Sequence, residues 1–145
     1  ILSSMRRKYT IAQYQEVTEM VKDFFPNAAF GADVIVGYPG ESEAEFLETF
    51  NFLRNGPITH FHVFPYSKRK GTTAAKLPDQ IQSAVKKDRV RTLIMLGEAK
   101  LREFADAAVG TTTTVLFESQ VDGVWEGYSS HYLRVRVASE ENLHN

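Results

Sequence analysis

The sequence predicts an α/β fold that gives way to short antiparallel strands near its carboxyl end. Helical periods alternate with apolar, strand-like runs through the first 66 residues, and a long helical period follows from residue 79 to 108. After Gly110 the pattern changes to short β-type runs separated by turn residues. Alternating helices and strands are typical of parallel sheets, whereas short strands joined by tight turns are typical of antiparallel ones. We therefore predict one domain over residues 1–109 and the start of a second over residues 110–145.

The first helix is predicted for residues 10–25, where Thr10 and Gln13 form a capping-box pattern. Its expected buried face comprises Ile11, Tyr14, Val17, Val21 and Phe24 or Phe25. Residues 28–36 are apolar without clear alternation, which is typical of a strand buried on both faces. Asp33 interrupts this strand, and a carboxylate buried there would need a partner.

Residues 37–41 form a glycine-containing loop, and Ser42 with Glu45 marks the start of a second helix. A short strand is predicted for residues 58–64, followed by a basic, irregular connection to Pro78. The long helix over residues 79–108 should bury Ile81, Val85, Leu93, Leu96, Leu101 and Phe104. Three strands should follow within TTTTVLFES, GVWEGYS and HYLRVRV, with a turn at Asp122 and Gly123.

Composition and cysteine content exclude several classes of protein. The chain is 43% hydrophobic and 24% charged, which is ordinary for a folded domain. No apolar run approaches the roughly 20 residues that a membrane-spanning helix needs, and no secretory signal is apparent, so we expect a cytoplasmic protein without a membrane partner. The chain has no cysteine, so it cannot by itself hold a thiolate-bound zinc ion or iron–sulfur cluster.

Charge is distributed unevenly along the chain. Residues 14–59 hold eight acids against two bases, whereas residues 60–104 hold ten bases against four acids. The basic middle permits a polyanionic partner, although a solvated helix face would have the same composition.

Because two parallel strands cannot close a barrel, we also expect the chain to be a fragment of a larger fold.

The loop GYPGE, residues 37–41, has three possible roles: a phosphate cradle, a cofactor wall or a tight turn. Glu41, Glu43 and Glu45 at the following helix start would repel a phosphate, so that role is disfavoured. In parallel α/β sheets, ligands lie beyond the carboxyl ends of the strands. Residues 37–41 and 64–67 should therefore face the same cavity.

Two further groups of side chains leave alternatives open. His60 and His62 share one strand face at a spacing compatible with metal binding, yet no third ligand is visible and packed histidines are favoured. Trp125, Tyr128 and Tyr132 could stack on nucleobases or pack in a core. Arg134 and Arg136 alternate onto one strand face, either as RNA contacts or as exposed charges.

Four segments together carry a resemblance to one family: MRRKYT at 5–10, DVIVGYPGESEAEF at 33–46, HVFPYSKRKGT at 62–72 and GYSSHYLRVRV at 127–137. They resemble the radical S-adenosylmethionine methylthiotransferases that modify tRNA. The first and third segments look most like the branch that acts on threonylcarbamoyladenosine beside the anticodon. Sister branches act on isopentenyladenosine or on a ribosomal protein.

The resemblance implies that this chain is the last part of a radical S-adenosylmethionine (β/α) partial barrel followed by the start of TRAM, a small antiparallel β-barrel that binds RNA. The implied cofactors are S-adenosylmethionine and iron–sulfur clusters, with cluster cysteines on upstream sequence of the same polypeptide. The fragment alone should then be inactive, with no catalytic residue and no metal ligand of its own. The alternative is a non-catalytic RNA-binding module.

The resemblance also assigns residues to binding roles. Those implied for S-adenosylmethionine are Asp33, Ile35, Gly37, Phe64 and Tyr66, with Ile35 as an apolar wall and Gly37 as a close backbone approach. Those expected to contact tRNA phosphates are Arg69, Lys70, Arg134 and Arg136. Two positions depart from the family pattern: Tyr38 replaces a usual phenylalanine, and Thr73 replaces a usual proline.

Overall fold

The structure is a computed structural model that describes residues 1–144. Its elements follow the order α1, β1, α2, β2, α3, β3, β4, β5, with one 3-10 turn at Ala74–Lys76. The helices are α1 (Ile11–Phe24), α2 (Glu43–Asn55) and α3 (Ser83–Ala108). The strands are β1 (Gly31–Val36), β2 (His60–Pro65), β3 (Val115–Val121), β4 (Val124–Ser129) and β5 (Arg134–Ala138). The mixed α/β class and the antiparallel strands after Gly110 are thus confirmed.

Both predicted capping boxes are present at the starts of α1 and α2. The Thr10 side chain accepts a hydrogen bond from the Gln13 backbone, and Gln13 reaches back to the backbone of Thr10. Ser42 and Glu45 make the same exchange. The Ser42 backbone N–H donates to the carboxylate of Glu45, and this hydrogen bond is the main reason that the pKa of Glu45 is lowered. The Ser42 hydroxyl donates to the same carboxylate and lowers the pKa further.

Strands β1 and β2 form a two-stranded parallel sheet in which Gly31 lies opposite His60 and Ile35 lies opposite Phe64. One sheet face packs against the helices and builds a core from Val36, Phe46, Leu53, Ile58 and Leu93. Successive side chains of a strand point to opposite faces, so only every second residue of the apolar run from Phe30 onward packs in or against this core.

The expectation that β1 is buried on both faces is wrong for the described chain. Its burial alternates: Gly31, Asp33 and Ile35 are exposed, whereas Val36 is fully buried. The helices pack on one face of this sheet, so every second residue remains open to solvent. Asp33 is therefore exposed and does not need the partner that a buried carboxylate requires.

The predicted buried face of α1 is also partly wrong. Tyr14 packs edge-on against Phe52 of α2, and Thr18 one turn later is buried. The other residues of the predicted face are exposed: Ile11, Val17, Val21, Phe24 and Phe25. The helical period fixes an apolar stripe but does not specify which part of that stripe finds a neighbour.

Helix α3 begins at Ser83, four residues later than predicted, and it buries Arg89 and Leu93. Val85 and Leu101, which we expected to be buried, remain exposed. Gly97 has a packing role, because a Cβ there would lie 3.3 Å from the Phe61 ring of β2. The interior glycine thus lets the helix approach the sheet closely.

Strands β3, β4 and β5 form an antiparallel meander in that order. Asp122 and Gly123, with φ values of 51° and 78°, make the predicted hairpin turn. Two consecutive positive φ values are the requirement of a type I′ turn. No helix in the described part of the chain has the length and apolar character needed to cross a membrane.

Candidate functional site

The carboxyl ends of β1 and β2 bring two predicted binding segments together. The Tyr66 backbone N–H donates to the Val36 carbonyl over 2.8 Å, which extends the pairing of the two strands beyond Pro65. Residues 37–41 and Tyr66 consequently lie side by side at one end of the sheet. This end, with the loop GYPGE, is called the mouth below.

Three of the five residues implied for cofactor binding share one sheet face below the mouth. Asp33 lies opposite His62, and Ile35 lies opposite Phe64, one step closer to the mouth. Ile35 is 39% exposed and Phe64 is 49% exposed. Exposed apolar side chains paired beside a polar loop are a suitable wall for a planar, partly apolar ligand.

The GYPGE loop is held by a buried ion pair that no motif in the sequence indicates. The Glu41 carboxylate accepts from the Gly37 N–H over 2.6 Å and from the Arg89 guanidinium over 2.5 Å. The two side chains are only 4% and 6% exposed, respectively. Arg89 also donates to the Glu41 carbonyl and, over 3.0 Å, to Glu43.

This arrangement disfavours a phosphate cradle. The Gly37 amide, which a phosphate would need, already donates to the loop's own Glu41 carboxylate. Arg89 lies 48 positions away on α3, and no local pattern links it to the loop. The only signal for Arg89 in the sequence was its position, a charged residue between Val85 and Leu93 on the face of α3 that was predicted to be buried.

Gly37 is constrained from two directions. Its φ of 73° lies in the left-handed region that glycine tolerates best. A Cβ at this position would also lie 2.6 Å from Cδ of Lys86. The Lys86 ammonium then donates to the Tyr66 carbonyl over 3.1 Å, so α3 holds both segments of the mouth. A close approach of Gly37 to a cofactor stays a prediction.

Tyr38 links the mouth to the amino-terminal segment. Its ring meets the Tyr66 ring edge-on at 5.4 Å, and its hydroxyl donates to the Ser4 carbonyl over 3.1 Å. The hydroxyl that distinguishes Tyr38 from phenylalanine therefore reaches polar neighbours. This contact attaches the segment at Ser4 to the same end of the sheet as Tyr66.

The four predicted RNA-binding residues fall into two settings. Arg69 and Lys70 are exposed in the connection after β2. Arg134 and Arg136 of β5 do share one strand face, but both are paired with Glu126 of β4. Their charge is therefore partly compensated within the protein.

The pairing with Arg134 lowers the pKa of the Glu126 carboxyl below its ordinary value of 4.5, chiefly through the hydrogen bond that Arg134 donates. Since the folded-state pKa is depressed, this pair stabilises the fold above the unfolded-state pKa and loses its effect as pH falls through the folded-state value. We expect an NMR titration of Glu126 to give a midpoint below 4.5, and Arg134→Gln to raise it. An unchanged midpoint in Arg134→Gln would contradict the assignment, and Arg91→Gln serves as the control.

A cleft of about 990 Å³ lies between β2, α3 and the small sheet. Its lining includes both predicted histidines and two tyrosines: His60, His62, Tyr128 and Tyr132. Among residues 1–144, no group of three or more His, Cys, Asp or Glu side chains could hold a metal ion. His60 packs over Gly31, since a Cβ there would lie 2.7 Å from its Nε2.

The aromatic residues of the small sheet divide between core and surface. Trp125 is 7% exposed and its indole N–H donates to the Glu141 carbonyl over 2.9 Å, so it packs in the core and the stacking interpretation is wrong for it. Tyr128 is 45% exposed and Tyr132 is 76% exposed, so both rings remain open to a partner.

Comparison with known proteins points to one class, enzymes that transfer a methylthio group to tRNA. The chain is 36% identical to the threonylcarbamoyladenosine tRNA methylthiotransferase MtaB of Bacillus subtilis over 99% of its own length. It is 40% identical to the Aquifex aeolicus protein of the same name over 94% of the chain. It is also 40% identical to the tRNA-2-methylthio-N(6)-dimethylallyladenosine synthase of Protochlamydia amoebophila, over 81% of the chain. No family model matches the chain.

These relatives confirm the resemblance found in the sequence. The chain belongs to the radical S-adenosylmethionine tRNA methylthiotransferase family. It spans 33%, 35% and 26% of the three relatives, respectively, so it corresponds to about a third of such a protein.

Proposed function

We propose that this chain is the carboxyl-terminal part of a radical S-adenosylmethionine methylthiotransferase that modifies an adenosine next to a tRNA anticodon. In this proposal residues 1–109 form the end of the partial barrel and residues 110–145 form the beginning of the TRAM domain. The observation that carries the proposal is the exposed face of Ile35 and Phe64 beneath the clamped GYPGE loop, at the carboxyl end of a parallel sheet.

The exposed face fits the adenosine part of S-adenosylmethionine. Ile35 and Phe64 offer adjacent apolar surface for the adenine ring, and Asp33 offers an acceptor for a hydroxyl or an ammonium group. Gly37 and Tyr66 would complete the site from the mouth. Bound there and reduced by an iron–sulfur cluster, S-adenosylmethionine would supply the radical chemistry of the reaction, while these residues would hold and orient it. This chain has no cysteine, so the cluster ligands belong to other parts of the polypeptide.

The described residues bind and orient rather than react. The Tyr66 N–H is bonded to Val36 and its carbonyl to Lys86, so its backbone is held in place on both sides. The Glu41 and Arg89 pair fixes the Gly37 amide in the same way. A wall whose backbone is fully bonded changes little on binding, which reduces the entropic cost of holding a ligand.

We expect the substrate to be tRNA carrying threonylcarbamoyladenosine and the enzyme to work in the cytoplasm. The match to the two proteins named for that nucleoside covers 94–99% of the chain, against 81% for the dimethylallyladenosine synthase. Arg69, Lys70, Arg134 and Arg136 would contact tRNA phosphates. The sister activities on isopentenyladenosine or on a ribosomal protein are the alternatives within the family.

The proposal is tested with the full-length protein, its clusters reconstituted without oxygen and then reduced. Incubation with S-adenosylmethionine, sulfide as the sulfur source and threonylcarbamoyladenosine tRNA should yield 5′-deoxyadenosine and the 2-methylthio nucleoside, both detected by mass spectrometry. If only isopentenyladenosine tRNA gave a methylthio product, the enzyme would belong to the sister branch that acts on that nucleoside. No 5′-deoxyadenosine with either tRNA would refute the proposal, and cleavage by the 145-residue chain alone would refute the assignment of the cluster to other sequence.

The cofactor wall gives a second, sharper measurement. Ile35→Lys should raise the Kd for S-adenosylmethionine about tenfold or more, because it removes apolar contact and sets an ammonium against the cofactor's sulfonium. Leu47→Lys is the matched control, since Leu47 is 48% exposed on α2 rather than on this face. Equal Kd values for the two variants would exclude Ile35 from the site.

A non-catalytic RNA-binding role is the second candidate. It is favoured by the exposed basic residues after β2 and by the exposed aromatic rings of Tyr128 and Tyr132. The two functions separate cleanly, because an RNA-binding module would bind tRNA with steep salt dependence yet never cleave S-adenosylmethionine.

A further inference from the structure

We propose that two basic segments far apart in the sequence form one phosphate-binding surface at the mouth, which contacts the tRNA backbone beside the cofactor site. We call this surface the basic rim, and its residues are Arg6, Arg7, Lys8, Lys68, Arg69 and Lys70. Only Arg69 and Lys70 were expected from the sequence to bind RNA. The inference rests on the proposed function, since it takes tRNA as the partner.

A chain of direct contacts brings the two segments together. Ser4 bonds through its carbonyl to the Tyr38 hydroxyl, and the Tyr38 ring meets the Tyr66 ring at 5.4 Å. Arg6 lies two residues after Ser4, and Lys68 lies two residues after Tyr66. Each basic triplet therefore begins two residues from one end of this chain of contacts.

The amino-terminal triplet follows a hydrogen-bonded turn. The backbone N–H groups of Met5, Arg6 and Arg7 donate to the carbonyls of Ile1, Ser3 and Leu2, at 2.9–3.0 Å. Arg6 itself takes a positive φ of 57°. The second triplet also has local structure, because the Thr72 hydroxyl donates to the Arg69 carbonyl over 2.8 Å. Both backbones are thus bonded, which limits the ordering needed on binding.

The charges of the basic rim are available to a partner. All six side chains belong to exposed residues, and within residues 1–144 none of them takes part in an ion pair. Arg134 and Arg136, in contrast, share the carboxylate of Glu126. The six rim charges therefore outnumber those that the small sheet can offer to an anion.

The acids near the mouth do not cancel this charge. Glu41 and Glu43 pair with Arg89, and the Glu45 carboxylate accepts hydrogen bonds from Ser42. Asp79 lies near the loop, with its carbonyl accepting from the Gly40 N–H. One arginine offsets only one of the two acids Glu41 and Glu43, so with Glu45 and Asp79 a net of three acids lies at the loop against the six basic residues of the rim.

A polyanion fits the basic rim better than the cofactor does. S-adenosylmethionine carries a sulfonium cation, which six nearby positive charges would repel. Phosphates of an RNA backbone, spaced along a strand that approaches the mouth, would be attracted by both triplets at once. The rim would position the tRNA so that its target base can reach the cofactor site.

The basic rim is tested by measuring the affinity of the full-length protein for a tRNA transcript across a series of salt concentrations. Two triple variants, R6Q/R7Q/K8Q and K68Q/R69Q/K70Q, should each weaken binding at low salt at least tenfold. Each should also reduce the slope of log affinity against log salt by about two, because each lost phosphate contact removes roughly 0.7–0.9 from that slope. The matched control is K22Q/R91Q/R102Q, which replaces three exposed basic residues on α1 and α3.

Both rim variants should keep the wild-type thermal midpoint, because the substituted residues are exposed and a loss of affinity then reports lost contacts rather than unfolding. An unaltered slope in either rim variant, or an equal loss in the control, would overturn the proposal. Wild-type protein that binds tRNA through the rim but forms no 5′-deoxyadenosine would refute the proposed enzymatic function and leave the rim standing.

Discussion

Replacing Arg89 with methionine should lower the free energy of unfolding by about 3–5 kcal/mol, the usual cost of leaving a buried charge without its partner. Glu41 is 4% exposed, and its carboxylate would retain only the Gly37 N–H after the change. The loop GYPGE would lose its ion pair with α3, so the substitution should also weaken cofactor binding. Urea denaturation at neutral pH measures the change.

Two controls make this expectation specific to the buried pair. Arg91→Met removes an arginine from the same helix whose ion pair with Asp88 is exposed, and it should change stability by less than about 0.5 kcal/mol. The double variant Glu41→Gln with Arg89→Met removes both charges and keeps an acceptor for the Gly37 N–H, so it should recover part of the loss. Simple addition of the two single effects would show that the pair is not coupled.

Gly127→Ala should disrupt the small sheet, at a cost of roughly 3 kcal/mol. A Cβ at Gly127 would collide with the Leu116 carbonyl and lie 2.7 Å from the Phe117 Cα, and both atoms belong to the backbone of β3. Backbone cannot move aside as a side chain can, so the pairing of β3 with β4 must open. Thermal denaturation, together with loss of NMR contacts between these strands, measures the effect.

The control is Gly123→Ala in the hairpin between β3 and β4. Its Cβ would meet no atom within 4 Å, so its cost comes only from the positive φ of 78°. That cost should be about 1 kcal/mol. If Gly123→Ala were as destabilising as Gly127→Ala, turn conformation rather than strand contact would account for the sensitivity of the sheet.

Local sequence signals predicted most of the secondary structure. Capping boxes at Thr10 and Ser42 act within a single turn of helix, and the Asp122 and Gly123 turn needs only two residues. Such signals depend on neighbours in sequence, so they survive without knowledge of the fold. The predicted start of α3 is four residues early, because its N-cap, Gln82, makes no side-chain capping hydrogen bond that would mark the boundary.

Burial was predicted less well than the elements themselves. Apart from Asp33, the sequence of β1 is apolar without clear alternation, yet Asp33 and Ile35 are exposed because the helices cover one face of the sheet. Trp125 could have served as a stacking platform or as core, and its hydrogen bond to Glu141 together with its burial decides for core. Composition determines how much apolar surface exists, whereas packing determines which part of it is covered.

By itself the sequence determined the order of helices and strands and the family, and it predicts which segments bind a cofactor or RNA. The tertiary structure decided how those segments meet: Arg89 reaches the GYPGE loop across 48 positions, and the contact between Ser4 and Tyr38 spans 34. Contacts of this kind have no local period or motif, because they arise only when separate elements pack together. The same packing reveals that Arg134 and Arg136 share Glu126 and that the Tyr38 and Tyr66 rings meet edge-on.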